Sequence, residues 1–204
     1  MTIMKNDLQK EKIKISVASP DDAAELLEIL APYVRETAIP YDNEVPTLEQ
    51  FRQRIESTLE KYPFLEASRG GEILGYVHAS EFSERPGYEG SVKTSIFVRS
   101  DARHGGIGRR LYEAFEDALK LQHIYDLNAC ISYCDDEWER LPKTSPRFHE
   151  KMGYRLVWRF PEDRHKFGRP VDMLLMKKRI GKPDPSQPVL PFPAVREEFE
   201  KTLS

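Results

Sequence analysis

Ile96-Phe97-Val98-Arg99-Ser100-Asp101-Ala102-Arg103-His104-Gly105-Gly106-Ile107-Gly108-Arg109-Arg110-Leu111 decides how the rest of the chain is read. Its β-branched and aromatic start predicts a strand, and its glycines predict a tight turn. Ile107, Leu111, Ala114, Phe115, Ala118 and Leu119 then form an apolar stripe at spacings of three and four. That stripe predicts a helix beginning at or just after Gly106. A strand feeding a glycine-rich helix start aims unpaired backbone N–H groups and the positive helix end at one spot, which suits a phosphate. Arg99, Arg103, Arg109 and Arg110 flank the spot against a single acid, Asp101, so an anionic ligand is expected.

The spacing excludes two familiar phosphate motifs. A dinucleotide fingerprint would need its third glycine at 111, which is Leu, and belongs near a chain's first βα unit. A Walker-type loop needs Lys followed by Ser or Thr, and Gly108 is followed by Arg109-Arg110. What remains is Arg103-x-x-Gly106-x-Gly108 between a strand and a long amphipathic helix.

On the N-terminal side of this stretch, residues 13–17 alternate as a strand. Ser19-Pro20-Asp21-Asp22 then starts a helix with the stripe Ala23, Leu26, Leu27, Leu30, Val34. Residues 36–46 read as a loop, and Thr47-Leu48-Glu49-Gln50 is a capping-box start for a second helix ending before Pro63. Residues 64–68 and 73–80 form a hairpin around Gly70-Gly71, and residues 92–99 are the strand into the glycine turn. On the C-terminal side come a strand at 127–133, an acidic loop at 135–143 and a short helix at 145–151. A strand pair, 155–160 and 171–177, follows, joined by a charged loop. Residues 181–204 form a proline-rich tail with a short helix near 194–203, which wraps the domain or a partner subunit. The order β-α-α-β-β-β-α-β-α-β-β predicts an α/β (α+β) fold, a mixed, mostly antiparallel twisted sheet with helices on both faces.

The 204 residues can bury one substantial core, so a single domain over 13–180 is expected after a polar leader at 1–12. A formal net charge of −3 with 32% charged residues argues against a dedicated nucleic-acid binder. No apolar run reaches membrane-spanning length and the leader lacks a signal core, so a cytoplasmic protein without a membrane partner is expected. Cys130 and Cys134 are too few for a disulfide framework and fit a reducing compartment. No further ligands stand at zinc spacing, so no metal is expected.

The turn Arg103-x-x-Gly106-x-Gly108 resembles the pyrophosphate-binding turn of the GCN5-related N-acetyltransferases (GNAT). Ser145-Pro146-Arg147-Phe148-His149-Glu150-Lys151-Met152-Gly153-Tyr154 is similar to that family's late helix. Thr37…Tyr41…Glu44-Val45-Pro46, Tyr62-Pro63-Phe64-Leu65, Gly75-Tyr76-Val77 and Lys166-Phe167-Gly168-Arg169…Asp172 resemble the phosphinothricin N-acetyltransferase-like subfamily. The resemblance implies an acetyl-CoA-dependent N-acetyltransferase acting on the primary amine of a small molecule, an amino acid or analogue, by direct attack. It implies that Ile96, Phe97 and Val98 pair with the pantetheine arm and that the N–H groups of His104, Gly105, Gly106, Ile107, Gly108 and Arg109 hold the pyrophosphate. Arg103 flanks the phosphates, and Ser145 lies on the cofactor side. Thr37, Tyr41, Lys93 and Arg169 are implied on the acceptor side, with Tyr33, Phe82 and Tyr88 as further aromatic candidates. His149 stands where relatives carry a tyrosine as the thiolate acid. A homodimer is common in the subfamily and is expected.

Three positions depart from the pattern. The subfamily carries a glutamate base where this chain has Lys93. Lys93 then binds an anionic acceptor group while water or Glu81, Glu84 or Glu89 relays the proton, or acts itself as a shifted base, or marks a non-catalytic acyl-CoA-binding relative. Pro142 replaces an asparagine that contacts pantetheine. Gly90 stands where an aromatic is common, which predicts a differently shaped acceptor pocket.

Overall fold

The computed structural model describes residues 12–184 and 186–203. The expected leader therefore lies, Lys12 apart, outside the described residues. Seven strands, β1 (Lys14–Val17), β2 (Phe64–Arg69), β3 (Glu72–Glu81), β4 (Ser91–Val98), β5 (Asp126–Tyr133), β6 (Arg155–Lys166) and β7 (Arg169–Arg179), form one sheet in the order β1-β2-β3-β4-β5-β7-β6. The helices are α1 (Ala23–Glu36), α2 (Leu48–Leu59), α3 (Ile107–Leu121), α4 (Thr144–Lys151) and α5 (Phe192–Thr202).

Local chemistry sets the element ends. Thr47 accepts from the Gln50 N–H at 3.2 Å while Gln50 accepts from the Thr47 N–H at 2.8 Å, the reciprocal cap expected at the start of α2. Leu26, Leu30, Val34, Phe51 and Ile55 of α1 and α2 bury against Phe64 and Tyr76 on one sheet face. On the other face Ile107, Leu111, Phe115 and Leu119 of α3 are at most 2% exposed, each contributing about 1.5–3 kcal/mol of burial.

All strand pairs are antiparallel except β4 with β5. A parallel neighbour requires a crossover, and α3 supplies it. The β4–β5 ladder spans Ser91, Val92 and Lys93 against Asp126, Leu127 and Asn128. Beyond Lys93 the two strands diverge, leaving a fork whose inner edges face each other unpaired.

Two expectations need correction. The charged loop expected between the last strands is largely ladder, with Arg164, His165 and Lys166 paired to Val171, Pro170 and Arg169. A register shift between Phe160 and Arg164, with Glu162 at φ +50°, absorbs the extra residues, and Phe167-Gly168, both at positive φ, make the tight turn. Gly90 does not shape an acceptor pocket. A Cβ there would stand 2.1 Å from the Tyr125 ring, at the closed end of the β4–β5 pair.

The proline-rich tail wraps its own domain. Buried Gln122 donates to the Lys61 and Leu190 carbonyls, both at 2.7 Å, and Phe192, Val195 and Phe199 join the α3 core.

Candidate active site

The mouth of the fork is the start of α3. Gly106 is left-handed at φ +78°, a conformation costing a non-glycine residue about 1–2 kcal/mol, and no side chain among the described residues caps the helix. The first-turn N–H groups of Ile107, Gly108 and Arg109 therefore have no intrahelical partner. Gly108 is needed for a different reason. A Cβ there would stand 3.1 Å from Phe148 on α4 and 3.7 Å from Ile96 on β4, so helix, strand and α4 meet at this one position.

The flanking arginines are unequal. Arg99 is held by Asp101 at 2.8 Å and Glu72 at 3.4 Å. Arg103 donates to the Tyr33 hydroxyl at 2.9 Å and lies over its ring, while that hydroxyl donates to the Val98 carbonyl at 2.5 Å. Among the described residues Arg109 pairs only with Glu113, at 3.9 Å. Arg69, which the sequence reading missed, brings Nη2 within 3.8 Å of where a Gly105 Cβ would be, and its buried Nε has no hydrogen-bond partner among the described residues.

Lys93 sits where the fork opens, opposite Ser80 of β3 and Asn128 of β5. Strand alternation puts Asn128, Cys130 and Ser132 on its face. Over the same face lie Tyr41, from the α1–α2 loop, and Asp163 and Arg164, from β6. Burial raises the Cys130 thiol, with the Lys93 ammonium opposing and Asp163 reinforcing. Burial raises the Tyr41 phenol, with Asp163 and Cys130 reinforcing. Cys130 is thus within electrostatic reach of both Lys93 and Asp163, and Tyr41 within reach of Asp163 and Cys130. Lys166 pins the α1–α2 loop through the Pro40 and Asp42 carbonyls at 3.2 and 2.9 Å.

Other expected acceptor residues are engaged elsewhere. The Thr37 hydroxyl donates to the Tyr33 carbonyl at 2.7 Å and accepts from the Ile39 N–H, closing the end of α1. Arg169 pairs with Asp136 at 3.0 Å and stacks over Trp138. Phe82 and Tyr88 pack on each other. Of the acids expected near Lys93, Glu81 lies opposite Val92 in the ladder and its charge acts on Tyr62, while Glu89 folds back onto the Gly87 N–H.

His149 is 4% exposed. Its Nδ1 faces the Ser145 carbonyl at 2.8 Å, which can only accept, so Nδ1 carries the proton and Nε2 accepts from the Tyr112 hydroxyl at 2.9 Å. Burial pushes its pKa down to about 4. The Thr94 hydroxyl is shared with Tyr112 at 3.1 Å and Tyr154 at 3.4 Å, closing a buried polar cluster under the fork.

The family description "Acetyltransferase (GNAT) domain" matches residues 15–175. The chain belongs to the GNAT family. It is an N-acetyltransferase by that membership, with relatives of the phosphinothricin type. The phosphinothricin N-acetyltransferase of Streptomyces coelicolor is 31% identical over 166 residues, 79% of this chain and 93% of the relative. The L-methionine sulfoximine/L-methionine sulfone acetyltransferase of Pseudomonas paraeruginosa is 30% identical over 120 residues, 58% of this chain and 66% of that protein. Among solved GNAT structures, the ribosomal-protein-alanine N-acetyltransferase of Brucella melitensis is 28% identical with a TM-score of 0.74, over 81% of this chain and 98% of that one. The Sinorhizobium meliloti phosphinothricin acetyltransferase, solved in complex with AcCoA, has the same fold at 23% identity and a TM-score of 0.76, over 86% and 95%. No helix among the described residues is long and apolar enough to cross a membrane.

Proposed function

We propose that this GNAT chain transfers an acetyl group from acetyl-CoA to the primary amine of a small amino acid or amino-acid analogue, of the kind named for its relatives, in the cytoplasm. The observation that carries the reading is the β4–β5 fork with the uncapped start of α3 at its mouth. The cosubstrate brings the activated acetyl group. The first-turn N–H groups of α3 hold its pyrophosphate, with Arg69 and Arg109 adding positive charge, and the inner edge of Ile96 and Phe97, up to the Val98 carbonyl that Tyr33 occupies, pairs with its peptide-like arm. The acceptor must present a neutral amine. Lys93 holds a polar or anionic group of the acceptor, and the amine proton leaves through water toward Asp163, the carboxylate that shares its neighbourhood. His149 holds the neutral tautomer that orders Tyr112 and the first turn of α4, and the leaving thiolate takes its proton from water.

The replacement of the expected glutamate by Lys93 favours a second reading, a non-catalytic acyl-CoA-binding protein. Calorimetry with acetyl-CoA, followed by thiol release over a panel of amino acids, methionine sulfone, phosphinothricin and peptides, separates the two. Turnover confined to amino-acid-like amines is expected. Tight acetyl-CoA binding with no turnover on any amine would leave the non-catalytic reading.

We also propose a homodimer through β6, the edge strand. Its Leu156, Val157 and Trp158 are 56%, 53% and 61% exposed, with Phe160 beside them. A second copy is a fitting cover for such a stretch.

A further inference from the structure

The arginine expected to meet an acceptor carboxylate, Arg169, is held by Asp136 at the far end of the β6–β7 hairpin. A different arginine is better placed. Arg164 directs Nη2 at the Ser132 hydroxyl and the Ala38 carbonyl, both at 2.6 Å. Its Nε and Nη1, buried, have no hydrogen-bond partner among the described residues. The guanidinium forms no ion pair among the described residues, although Asp163 is its chain neighbour. The Tyr41 ring covers it, with the guanidinium carbon 4.3 Å from the ring centroid. A ring face attracts the cation but accepts none of its N–H groups in the way a carboxylate does. Unmade hydrogen bonds on a half-buried charged group are costly, and an anion that supplies them recovers the cost.

Strand register sets where that anion lies. Lys93 pairs with Asn128. Four residues further along each strand, about 13 Å, stand Phe97 and Ser132. Ser132, and with it Arg164, is therefore level with the edge proposed to carry the pantetheine arm, while Lys93, an exposed residue of the same face, stands at the closed end of the fork. An α-amino acid keeps its amine within two bonds of the carboxylate carbon, so a carboxylate at Arg164 leaves the amine at the fork.

We infer that Arg164 is the receptor for the α-carboxylate of the acceptor, that the Tyr41 ring covers it until the acceptor displaces the ring, and that Lys93 receives the far end of the acceptor side chain. The acceptor class is then an α-amino acid with a polar or anionic side-chain terminus. This rests on the acetyl-transfer reading above, and its test is chosen to fail separately.

Calorimetry on the CoA-loaded protein compares methionine sulfone with the amine that lacks its carboxylate, and steady-state kinetics compares their KM values. The wild type is expected to prefer the amino acid by at least about tenfold. Arg164→Met is expected to collapse that preference, and Arg164→Lys to restore part of it. Ser132→Ala serves as a second variant should Arg164→Met lose acetyl-CoA binding and thus its fold, and a reduced preference is expected from it. A wild type that binds both ligands equally, or neither, overturns the inference, as does an Arg164→Met protein that keeps the preference. Carboxylate-dependent binding without turnover would uphold the inference and overturn the transferase reading.

Discussion

The two sides of the β4–β5 fork are built by different means. The side proposed for the cofactor is backbone: a left-handed Gly106, a close-packed Gly108 and the edge of β4 that β5 leaves unpaired, all within one short run of sequence. The acceptor side is side chains. Tyr41, Lys93, Cys130, Ser132, Asp163 and Arg164 come from a loop and three strands and meet only after the sheet is complete. Backbone that binds a constant ligand tolerates little substitution, whereas a wall of side chains can be re-tailored while the fork stays intact. Lys93 in place of the expected glutamate is such a change.

The sharpest way to break this contrast is on the cofactor side. Gly108→Val forces a branched side chain into Phe148 and Ile96. Overpacking of about 1–3 kcal/mol at the helix start is expected to raise the KM for acetyl-CoA by roughly tenfold to a hundredfold. An unchanged KM would mean that the helix start is not the cofactor site.

A second variant probes the ground between the two sides. If His149 were the thiolate acid, His149→Gln would lower kcat by about 10²–10⁴. Held neutral between Ser145 and Tyr112, it is instead expected to cost about 1–3 kcal/mol of stability, with kcat falling less than tenfold. Chemical denaturation against pH gives a further check. His78 and His149 both have pKa values pushed from 6.5 to about 4 by burial. Between those values the unfolded chain binds more protons than the folded one, so their contribution to stability falls as pH drops from about 6.5 toward 4. Glu66, raised from 4.5 to about 7, works in the opposite sense, its contribution being lost as pH rises through about 7. Removing His149 should flatten the acid limb, and an unchanged limb would contradict its buried neutral state.

The smallest effect on the fork is expected from Trp158→Arg on the β6 edge. It should shift the protein from dimer to monomer in analytical ultracentrifugation while leaving the KM for acetyl-CoA within about twofold, as for a surface change remote from the cofactor. A monomeric wild type would remove the reason for that exposed stretch.

Legibility in the sequence follows the same division. The strand–glycine–helix unit is local, so spacing alone located it; the cap at Thr47 starts α2 as predicted, and the cap at Ser19 starts a 3-10 turn, Pro20–Asp22, that leads into α1. Arg164 and Asp163 were hidden because Pro161-Glu162-Asp163-Arg164-His165-Lys166 reads as a solvated charged loop. Its return to the ladder depends on a register shift that no short-range pattern announces. His149 was located by its motif, but its low pKa follows from burial against residues of other elements, Tyr112 of α3 and Tyr154 among them, which its own neighbours in sequence do not announce. Arg69 sits beside a hairpin turn, and nothing in its neighbours signals that the turn lies under the start of α3.

The clamp made by Gln122 separates two boundaries that are easily taken for one. The family match covers residues 15–175, yet the core under α3 is completed by Phe192, Val195 and Phe199. The matched domain and the packed core thus stop at different places in this chain. The last helix lies beyond the family match and inside the hydrophobic interior. Trimming the chain to the matched portion would strip side chains from the interior of the molecule and expose the back of the helix whose front end is proposed to hold the phosphates.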